Sequence, residues 1–348
     1  METQNKSPRA AVIMPAYNAA STIERTVKSI LVQTMGDLLL IAVDDGSTDE
    51  TAAILARLRE EDSRVLPVSV PNGGPAQARN IGLEHVPQGT EYILFSDADD
   101  LLSPDTLAYA IENAGDADLV LMGFSILNPD GSKARYFEPA ARYTPETIGA
   151  HLGRIYKANL LNQVWGKLFR AGLVLENNIR FQDYRWGEDR LFIYDCLERA
   201  GTVAVLPACK YQYIMYPGES LITRYYDKKL EVCCLADSRM ETLCRRFDVT
   251  DERDFRYMFM KSVFSCLTTL FSPKCTLTAA QKRAEIRRAV ENEQVQARSR
   301  DVFGGMAVQA LCAVIRTKNV PLNYAAFHAV ARAGTIAPAL FTKLKHRK

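Results

Sequence analysis

Apolar runs typical of buried strands alternate with helical patterns over the first 125 residues, and this alternation restricts the fold more than any other feature. Continuous apolar runs at residues 38–43 and Tyr92–Phe95 are expected of strands that are buried on both faces. Regular alternation of strands and helices predicts an α/β fold, in which a mostly parallel central sheet carries helices on both faces.

Two serine–glutamate pairs indicate where helices begin. Ser21 with Glu24, and Ser47 with Glu50, have the spacing of a capping box, in which each side chain bonds the backbone N–H of the other residue. They predict one helix that continues to about residue 34 and a second helix at residues 51–60.

The regular alternation fades after residue 125. Residues 126–225 contain strand-like segments and a helix predicted at residues 189–199, and residues 226–348 are predicted to form a mainly helical extension. We therefore expect region boundaries near residues 125 and 225.

The composition is that of an ordinary globular protein. Of the 348 residues, 47% are hydrophobic and 24% are charged, which excludes low-complexity disorder and collagen-like repeats. The eight cysteines are scattered and form no Cys-x-x-Cys pair, so free thiols and a cytoplasmic location are expected. Residues 1–9 are polar and unlike a secretory signal, and the longest uncharged run near the C-terminus, residues 302–315, is too short to span a bilayer.

Charge is distributed unevenly along the chain. Residues 302–348 carry seven Lys/Arg and no Asp/Glu, whereas the other 301 residues carry 36 Lys/Arg and 41 Asp/Glu. Apolar side chains recur at helical spacing before these cations: Phe303, Met306, Ala307, Ala310, Leu311, Val314 and Ile315. Two interpretations stay open, because such a helix can lie on an anionic membrane or pack on the protein core or a second subunit. No nucleic-acid partner is expected.

Polar clusters follow the predicted strands at residues 15–18, 44–47, 72–74 and 97–100. Since parallel strands end at the same edge of a sheet, we expect these clusters to form one site. Asp97 and Asp99 offer hard carboxylate oxygens, which suit Mg²⁺ or Mn²⁺. An isolated Asp-x-Asp is more often a solvated acidic turn, but the strand before it and the neighbouring clusters favour a cation site.

The other clusters suggest how a ligand could be recognised. Asp45 can accept a hydrogen bond from a base N–H or a ribose hydroxyl, and Tyr17 can either lie against a nucleobase or pack on the following helix. Arg79 suits bidentate contact with phosphate or is a surface side chain of its helix. Neither a dinucleotide-binding G-x-G-x-x-G nor a P-loop is present.

A further acidic pair, Glu188 and Asp189, follows an aromatic and basic stretch and begins a helix. A positioned carboxylate can act as a general base toward a hydroxyl. Acidic residues at a helix start also stabilise the helix dipole, so both interpretations stay open from the residues alone.

Six segments together resemble the family 2 glycosyltransferases, inverting enzymes with the GT-A fold. In chain order they are Val12-Ile13-Met14-Pro15-Ala16-Tyr17-Asn18, Val43-Asp44-Asp45-Gly46-Ser47-Thr48-Asp49, Asn72-Gly73-Gly74 through Arg79-Asn80, Asp97-Ala98-Asp99-Asp100, Trp165-Gly166-Lys167-Leu168-Phe169 and Gly187-Glu188-Asp189. Each segment is weakly specific alone, but six in the expected order over residues 10 to about 220 are strongly specific.

The resemblance implies roles only at the matching positions. Donor-binding residues would be Pro15, Tyr17, Asn18, Asp45, Asn72, Arg79 and Asp97. Asp99, with Asp97, would hold Mn²⁺ or Mg²⁺, and Asp189 would be the catalytic base with Glu188 as a less favoured alternative. Trp165 and Lys167 would shape the acceptor side.

The implied function is metal-dependent transfer of one sugar, with inversion, from a nucleotide-sugar, in this family usually a UDP-sugar. The acceptor would be a hydroxyl of a saccharide or lipid-linked saccharide in bacterial surface polysaccharide biosynthesis. Residues 1–125 would form the nucleotide-sugar-binding half and 126–225 the acceptor half. Peripheral membrane contact through residues 302–348, at the inner face of the cytoplasmic membrane, and a homo-oligomer are further expectations. Competing hypotheses are a non-catalytic sugar-nucleotide-binding relative and an Asp-based phosphohydrolase.

Overall fold

A computed structural model describes residues 7–216 and 225–336, with side chains described up to residue 333. The described part contains a ten-stranded mixed sheet. Its strands are β1 Ala10–Ala16, β2 Leu38–Asp45, β3 Val65–Val70, β4 Tyr92–Phe95, β5 Leu101–Leu102, β6 Leu119–Leu127, β7 Lys133–Tyr136, β8 Ala141–Tyr143, β9 Lys167–Arg170 and β10 Val203–Ile214.

The sheet has a parallel half and a mixed half. Strands β3, β2, β1 and β4 are neighbours in that order and pair in parallel, as the alternating pattern predicts. Beyond β4 the order is β9, β6, β10 and β5, and only β6 with β10 is parallel. β7 and β8 add antiparallel pairings to β6 and β10. The sequence therefore predicts the parallel half well and misses the antiparallel strands, which are short.

Helices connect the strands and then form most of the C-terminal region, as expected. They are α1 Ile23–Leu31, α2 Thr51–Glu61, α3 Pro75–Glu84, α4 Thr106–Ala114, α5 Pro145–Lys157, α6 Ala171–Leu175, α7 Glu188–Arg199, α8 Lys229–Arg246, α9 Arg253–Thr269, α10 Ala279–Glu291, α11 Glu293–Arg300, α12 Met306–Arg316 and α13 Val320–Ile336.

Both predicted capping boxes are wrong. The N-caps of α1 and α2 are Thr22 and Glu50, and neither makes a side-chain cap hydrogen bond. The Ser47 hydroxyl instead accepts from the backbone N–H of Asn18 at 2.9 Å. The Ser47 side chain, which would have capped α2, is therefore used by Asn18, a residue distant in sequence.

The chain divides into two compact units. The first contains residues 1–218 and 242–250, and the second contains residues 219–241 and 251–348. In the first unit, the apolar runs of β1, β2 and β4 are almost completely buried and form the core under the helices.

The second unit is helical throughout its described part. Its core includes Phe255, Met260, Val263, Ile286 and Phe327, all buried. All eight cysteines of the chain are free thiols, which confirms that expectation. Within residues 7–216 and 225–336, no helix combines the length and the apolar character needed to cross a bilayer.

Candidate active site

The carboxyl ends of β1, β2 and β4 lie side by side at one edge of the sheet. Ala16 at the end of β1 is opposite Asp44 on β2, and Ile13 is opposite Phe95 at the end of β4. The polar clusters that follow these strands are therefore brought to one edge, as parallel pairing requires.

The carboxylates at the end of β2 bind the loop beside them. Asp45 is 3% exposed. Its Oδ1 accepts from the backbone N–H of Gly73 at 2.7 Å and its Oδ2 from that of Gly74 at 2.9 Å. Asn72 Nδ2 donates to the carbonyl of Asp45 at 2.8 Å. The Asp44 carboxylate accepts from the N–H of Ser47 at 3.1 Å. Both carboxylates therefore fix the backbone around the predicted donor pocket.

Gly46 makes this close loop packing feasible. Its φ is +70°, and a Cβ there would lie 2.7 Å from the backbone nitrogen of Asn72. A side chain at Gly46 would therefore be strained twice, by its backbone conformation and by a clash with the loop.

The turn after β1 presents the predicted aromatic face. Tyr17 is 53% exposed, and the half-buried Pro15 precedes it. Asn18 has a positive φ of 48° and accepts from the backbone N–H of Thr48 at 2.8 Å through its Oδ1. Asn18 thus joins the turns after β1 and β2, and Tyr17 is left free to contact a ligand.

The acidic cluster after β4 contains one fully buried carboxylate and two that are partly buried. Asp100 is fully buried. Its carboxylate accepts from the Tyr211 hydroxyl at 2.7 Å and from the Ile214 N–H at 2.9 Å, so it anchors β10. Asp97 and Asp99, which the motif predicts as metal ligands, are less buried and face the edge where the strands end.

The surroundings of Asp99 disfavour the ionised form of its carboxylate. Burial, with the charge of Asp97, raises the pKa of Asp99 to about 6. Arg25, which belongs to none of the motifs, and Tyr216 both donate to the backbone carbonyl of Asp99, at 3.0 and 3.2 Å. A cation bound to this carboxylate would offset the unfavourable environment.

One guanidinium joins carboxylates from two distant parts of the chain. Arg79 is 4% exposed. Its Nη2 donates to Asp97 Oδ1 at 2.9 Å. Its Nη1 donates to Asp189 Oδ1 at 2.8 Å and to Glu188 Oε1 at 3.3 Å. The guanidinium also lies 5.4 Å from the ring centre of Phe181. The structure thus places Arg79 between the donor-side carboxylate and the predicted base.

The charges in this group depend on one another. Burial opposes the positive charge of Arg79, but the carboxylates of Asp189, Asp97 and Glu188 outweigh it and raise its pKa. Burial raises the pKa of Asp189, and the charge of Arg79 acts against that shift. Burial and the negative charge of Asp189 also raise the pKa of Glu188. The positive charge of Arg79 therefore opposes the rise that burial causes in the pKa of Asp189 and Glu188.

The predicted base, Asp189, is held by the start of α7. Gly187 is the N-cap with a φ of +83°, so the chain turns sharply and places Glu188 and Asp189 in the first helical turn. Asp189 Oδ2 also accepts from the backbone N–H of Val164 at 3.3 Å. The hydrogen bonds from Arg79 and from the Val164 N–H orient the Asp189 carboxylate toward the predicted acceptor-side segment.

The acceptor-side residues lie next to the base and are largely buried. The Trp165 ring stacks on Tyr211 with centres 4.7 Å apart and on Tyr213 at 5.6 Å. Lys167 is 1% exposed, and its Nζ donates to the Trp165 carbonyl at 3.2 Å. Burial lowers the pKa of Lys167 to about 7, while the charge of Asp189 opposes the shift.

A divalent cation fits the donor set of Asp97 and Asp99. Their carboxylates are hard oxygen ligands, and the raised pKa of Asp99 indicates an excess of negative charge there. Among residues 7–216 and 225–336, no group of three or more His, Cys, Asp or Glu could hold a metal by itself. Any cation would therefore need further oxygen ligands from its substrate or water.

Comparisons with known proteins agree with the motifs. Residues 11–166 match the family model described as "Glycosyl transferase family 2". The chain is 29% identical over 216 residues to "Uncharacterized glycosyltransferase EpsJ" of Bacillus subtilis (strain 168), an overlap of 61% of this chain and 62% of EpsJ. It is 29% identical over 221 residues to "Succinoglycan biosynthesis protein ExoO" of Rhizobium meliloti (strain 1021), covering 62% and 63%. The match thus spans less than two thirds of these relatives.

The fold has a solved counterpart. The crystal structure of S. aureus TarS 1–349 in complex with UDP-GlcNAc is similar with a TM-score of 0.66 and 21% identity, over 94% of this chain and 92% of that chain. The expected GT-A fold with a helical C-terminal region is therefore confirmed. Residues 11–166, which contain the strand-end clusters of the candidate site, match the model of glycosyl transferase family 2.

Proposed function

We propose that the protein is an inverting, metal-dependent glycosyltransferase. It moves one sugar from a nucleotide-sugar, with a UDP-sugar favoured, to a hydroxyl of a saccharide or lipid-linked saccharide acceptor. The observation that carries this proposal is the contact of Arg79 with both Asp97 and Asp189, at 2.9 and 2.8 Å. Donor-side and base carboxylates are thereby held in one cluster.

The relatives support the choice of substrate class. TarS has been solved with UDP-GlcNAc bound, and ExoO is named for succinoglycan biosynthesis. We infer from them a UDP-sugar donor and a role in bacterial surface polysaccharide biosynthesis. Tyr17, Pro15 and the loop that Asp45 fixes would receive the nucleotide.

Asp99, together with Asp97, would hold Mn²⁺ or Mg²⁺ beside the donor diphosphate. When bound, such a cation supplies Lewis-acid neutralisation of the leaving group's charge. Through that cation, the two carboxylates would help to position the donor for reaction. Arg79 is already paired with carboxylates, so its part here is to hold Asp97 in place.

Asp189 would act as the general base. The acceptor oxygen forms a bond to the anomeric carbon while the bond from that carbon to the diphosphate oxygen breaks. The acceptor proton passes to Asp189, and the electron pair of the broken bond leaves with the nucleoside diphosphate. A single displacement inverts the anomeric configuration. Asp189 must be ionised for this step, which the positive charge of Arg79 favours.

The acceptor would lie on the Trp165 side of the base. Aromatic rings offer flat apolar surfaces that suit the C–H faces of sugars, and Tyr213, which stacks on the buried Trp165 and is only half-buried, offers such a surface. Lys167 donates to the Trp165 carbonyl and favours the ionised form of Asp189 through its charge. We place the reaction in the cytoplasm, at the inner face of the membrane if the acceptor is lipid-linked, and a homo-oligomer stays a prediction.

Calorimetric titration with nucleotide-sugars, with and without Mn²⁺, tests the donor assignment. We expect one UDP-sugar to bind more tightly when Mn²⁺ is present. In Asp99→Asn, Mn²⁺ should no longer change the affinity. The matched control is Asp116→Asn, a carboxylate that is 83% exposed in a surface ion pair and lies in the same unit. Binding that is equal with and without the cation, or unchanged in Asp99→Asn, would refute the assignment. Binding without acceptor-stimulated UDP release would favour the non-catalytic relative.

A further inference from the structure

Helix α12 turns an apolar face to solvent. Met306 is 91% exposed, and Ala307, Ala310 and Ala313 are also exposed. Positions three or four residues apart lie on one helix face, so these side chains form a continuous stripe. Phe303, just before the helix, is 62% exposed. Most of the apolar residues that the sequence predicts as one face are therefore not used in the core.

The inner face of α12 is held without that stripe. Cys312 and Ile315 are fully buried. The carbonyl of Ile315 accepts from Gln296 Nε2 at 3.0 Å, and the carbonyl of Val314 accepts from Asn323 Nδ2 at 2.9 Å. These polar contacts fix α12 against α11 and α13 without using the outward stripe.

Helix α13 also exposes apolar side chains. Leu322 is 46% exposed, and Ala325 and Ala329 are exposed. Arg332 follows them at helical spacing and is exposed too, so a cation lies on the same face. We call the exposed residues of these two helices, with Phe303, the outer face.

Cations dominate the segment that carries the outer face, although Asp301 is exposed just before it and Asp251 pairs with Arg253 beside Phe303. Residues 302–348 contain no Asp or Glu. Three of the seven cations, Arg316, Lys318 and Arg332, are exposed in the structure, and the other four, at residues 343–348, lie outside the described residues. Exposed apolar side chains beside an excess of cations fit a partner that is apolar within and anionic at its surface.

We propose that the outer face docks on an anionic lipid surface. Apolar side chains enter the boundary between headgroups and acyl chains, and each nearby Lys or Arg adds attraction to anionic headgroups. A second copy of the chain fits less well, because a two-fold interface would bring the same cations opposite one another. The inference concerns attachment and does not depend on the proposed transferase reaction.

Co-sedimentation of the full-length protein with vesicles tests the proposal. Vesicles of phosphatidylglycerol and phosphatidylcholine in equal parts should bind the protein, and vesicles of phosphatidylcholine alone should bind it at least about tenfold less. The double variant Met306→Asp/Ala310→Asp should lose binding to the anionic vesicles. Val32→Asp, which changes an apolar side chain that is 61% exposed in the other unit, is the matched control and should bind as wild type.

A second variant tests the charge separately. Lys318→Glu/Arg332→Glu alters exposed positions only and should weaken binding to anionic vesicles by about tenfold or more, with a smaller dependence on salt. Equal binding to both vesicle types, or wild-type binding by both double variants, would overturn the proposal. So would a concentration-dependent dimer in gel filtration that Met306→Asp/Ala310→Asp abolishes in the absence of lipid.

Discussion

The strand ends of β2 and β4 both carry paired carboxylates, yet the two pairs are stabilised in opposite ways. Asp44 and Asp45 are satisfied by backbone N–H groups of neighbouring loops, at 2.7 to 3.1 Å. Asp97 instead relies on the guanidinium of Arg79, and Asp99 has a pKa raised to about 6 by burial and by Asp97.

The difference separates a scaffold from a reaction site. Carboxylates bonded to neutral N–H groups hold a loop whatever ligand is present. Carboxylates that share one cation, and that are destabilised by one another, change their energy when a ligand's charge enters. We therefore expect substitutions at the β2 end to act on stability, and substitutions around Arg79 to act on both stability and pH dependence.

Arg79→Ala should give the largest loss of stability. It leaves Asp97, Glu188 and Asp189 without their shared cation. Removing one partner of a buried ion pair costs about 3–5 kcal/mol of folding stability. Urea unfolding measures the change. Arg9→Ala is the control, since the pair of Arg9 with Glu91 is well exposed, with side chains 45% and 52% exposed, and should contribute no more than about 1 kcal/mol. Equal losses in the two variants would remove the distinction between the sites.

Asp45→Ala should have an intermediate effect on unfolding. The N–H groups of Gly73 and Gly74 lose their acceptors, with an expected loss of about 1–3 kcal/mol. Asp45→Asn keeps one carboxamide oxygen and should lose less. If both variants unfold like the wild type, then Asp45 does not hold this loop, and its role would lie in the donor alone.

The smallest effect that we expect is that of Lys167→Met on the pH profile of sugar transfer. Asp189 must be ionised to accept a proton, so transfer should fall as the pH drops through its raised pKa, above the usual range of an aspartate. Lys167, whose pKa is lowered to about 7, is charged below that pH and favours ionised Asp189. Lys167→Met should therefore move the acid limb of kcat/KM to higher pH by less than about one unit.

The control for that profile is Lys28→Met, since the Lys28 side chain is 59% exposed and its ion pair lies on the surface of α1. Its acid limb should coincide with that of the wild type. An acid limb that stays in place, or moves to lower pH, in Lys167→Met would show that Lys167 does not influence the base.

Much of the parallel half of the sheet can be predicted from sequence, because its strands are apolar and most of them are buried along their length. The strand Tyr92–Phe95 matches its predicted bounds, and the carboxylates after it reach the predicted edge. The antiparallel β7 and β8 are short and partly exposed, so they lack a hydrophobic signal. The Ser47 cap fails because Asn18, 29 residues earlier, takes its hydroxyl.

The candidate site, too, can be predicted only in part from the sequence. Its acidic residues follow from motif positions, but their electrostatics do not. Arg79 and Asp189 are 110 residues apart, and no local pattern predicts that they meet at 2.8 Å. Arg25 carries no signal either, since a basic residue in a surface helix is common, and only the fold brings it to the carbonyl of Asp99.

The most direct test of the account is the rate of UDP release from a UDP-sugar in the presence of Mn²⁺ and acceptor, compared between the wild type and Asp189→Asn. The variant keeps the shape of the side chain and should still bind UDP with Mn²⁺. We expect its rate to be lower by about 10²–10⁴-fold, because the acceptor hydroxyl has lost its base. A variant that binds UDP and releases it at the wild-type rate would contradict the assignment of Asp189 and the mechanism built on it.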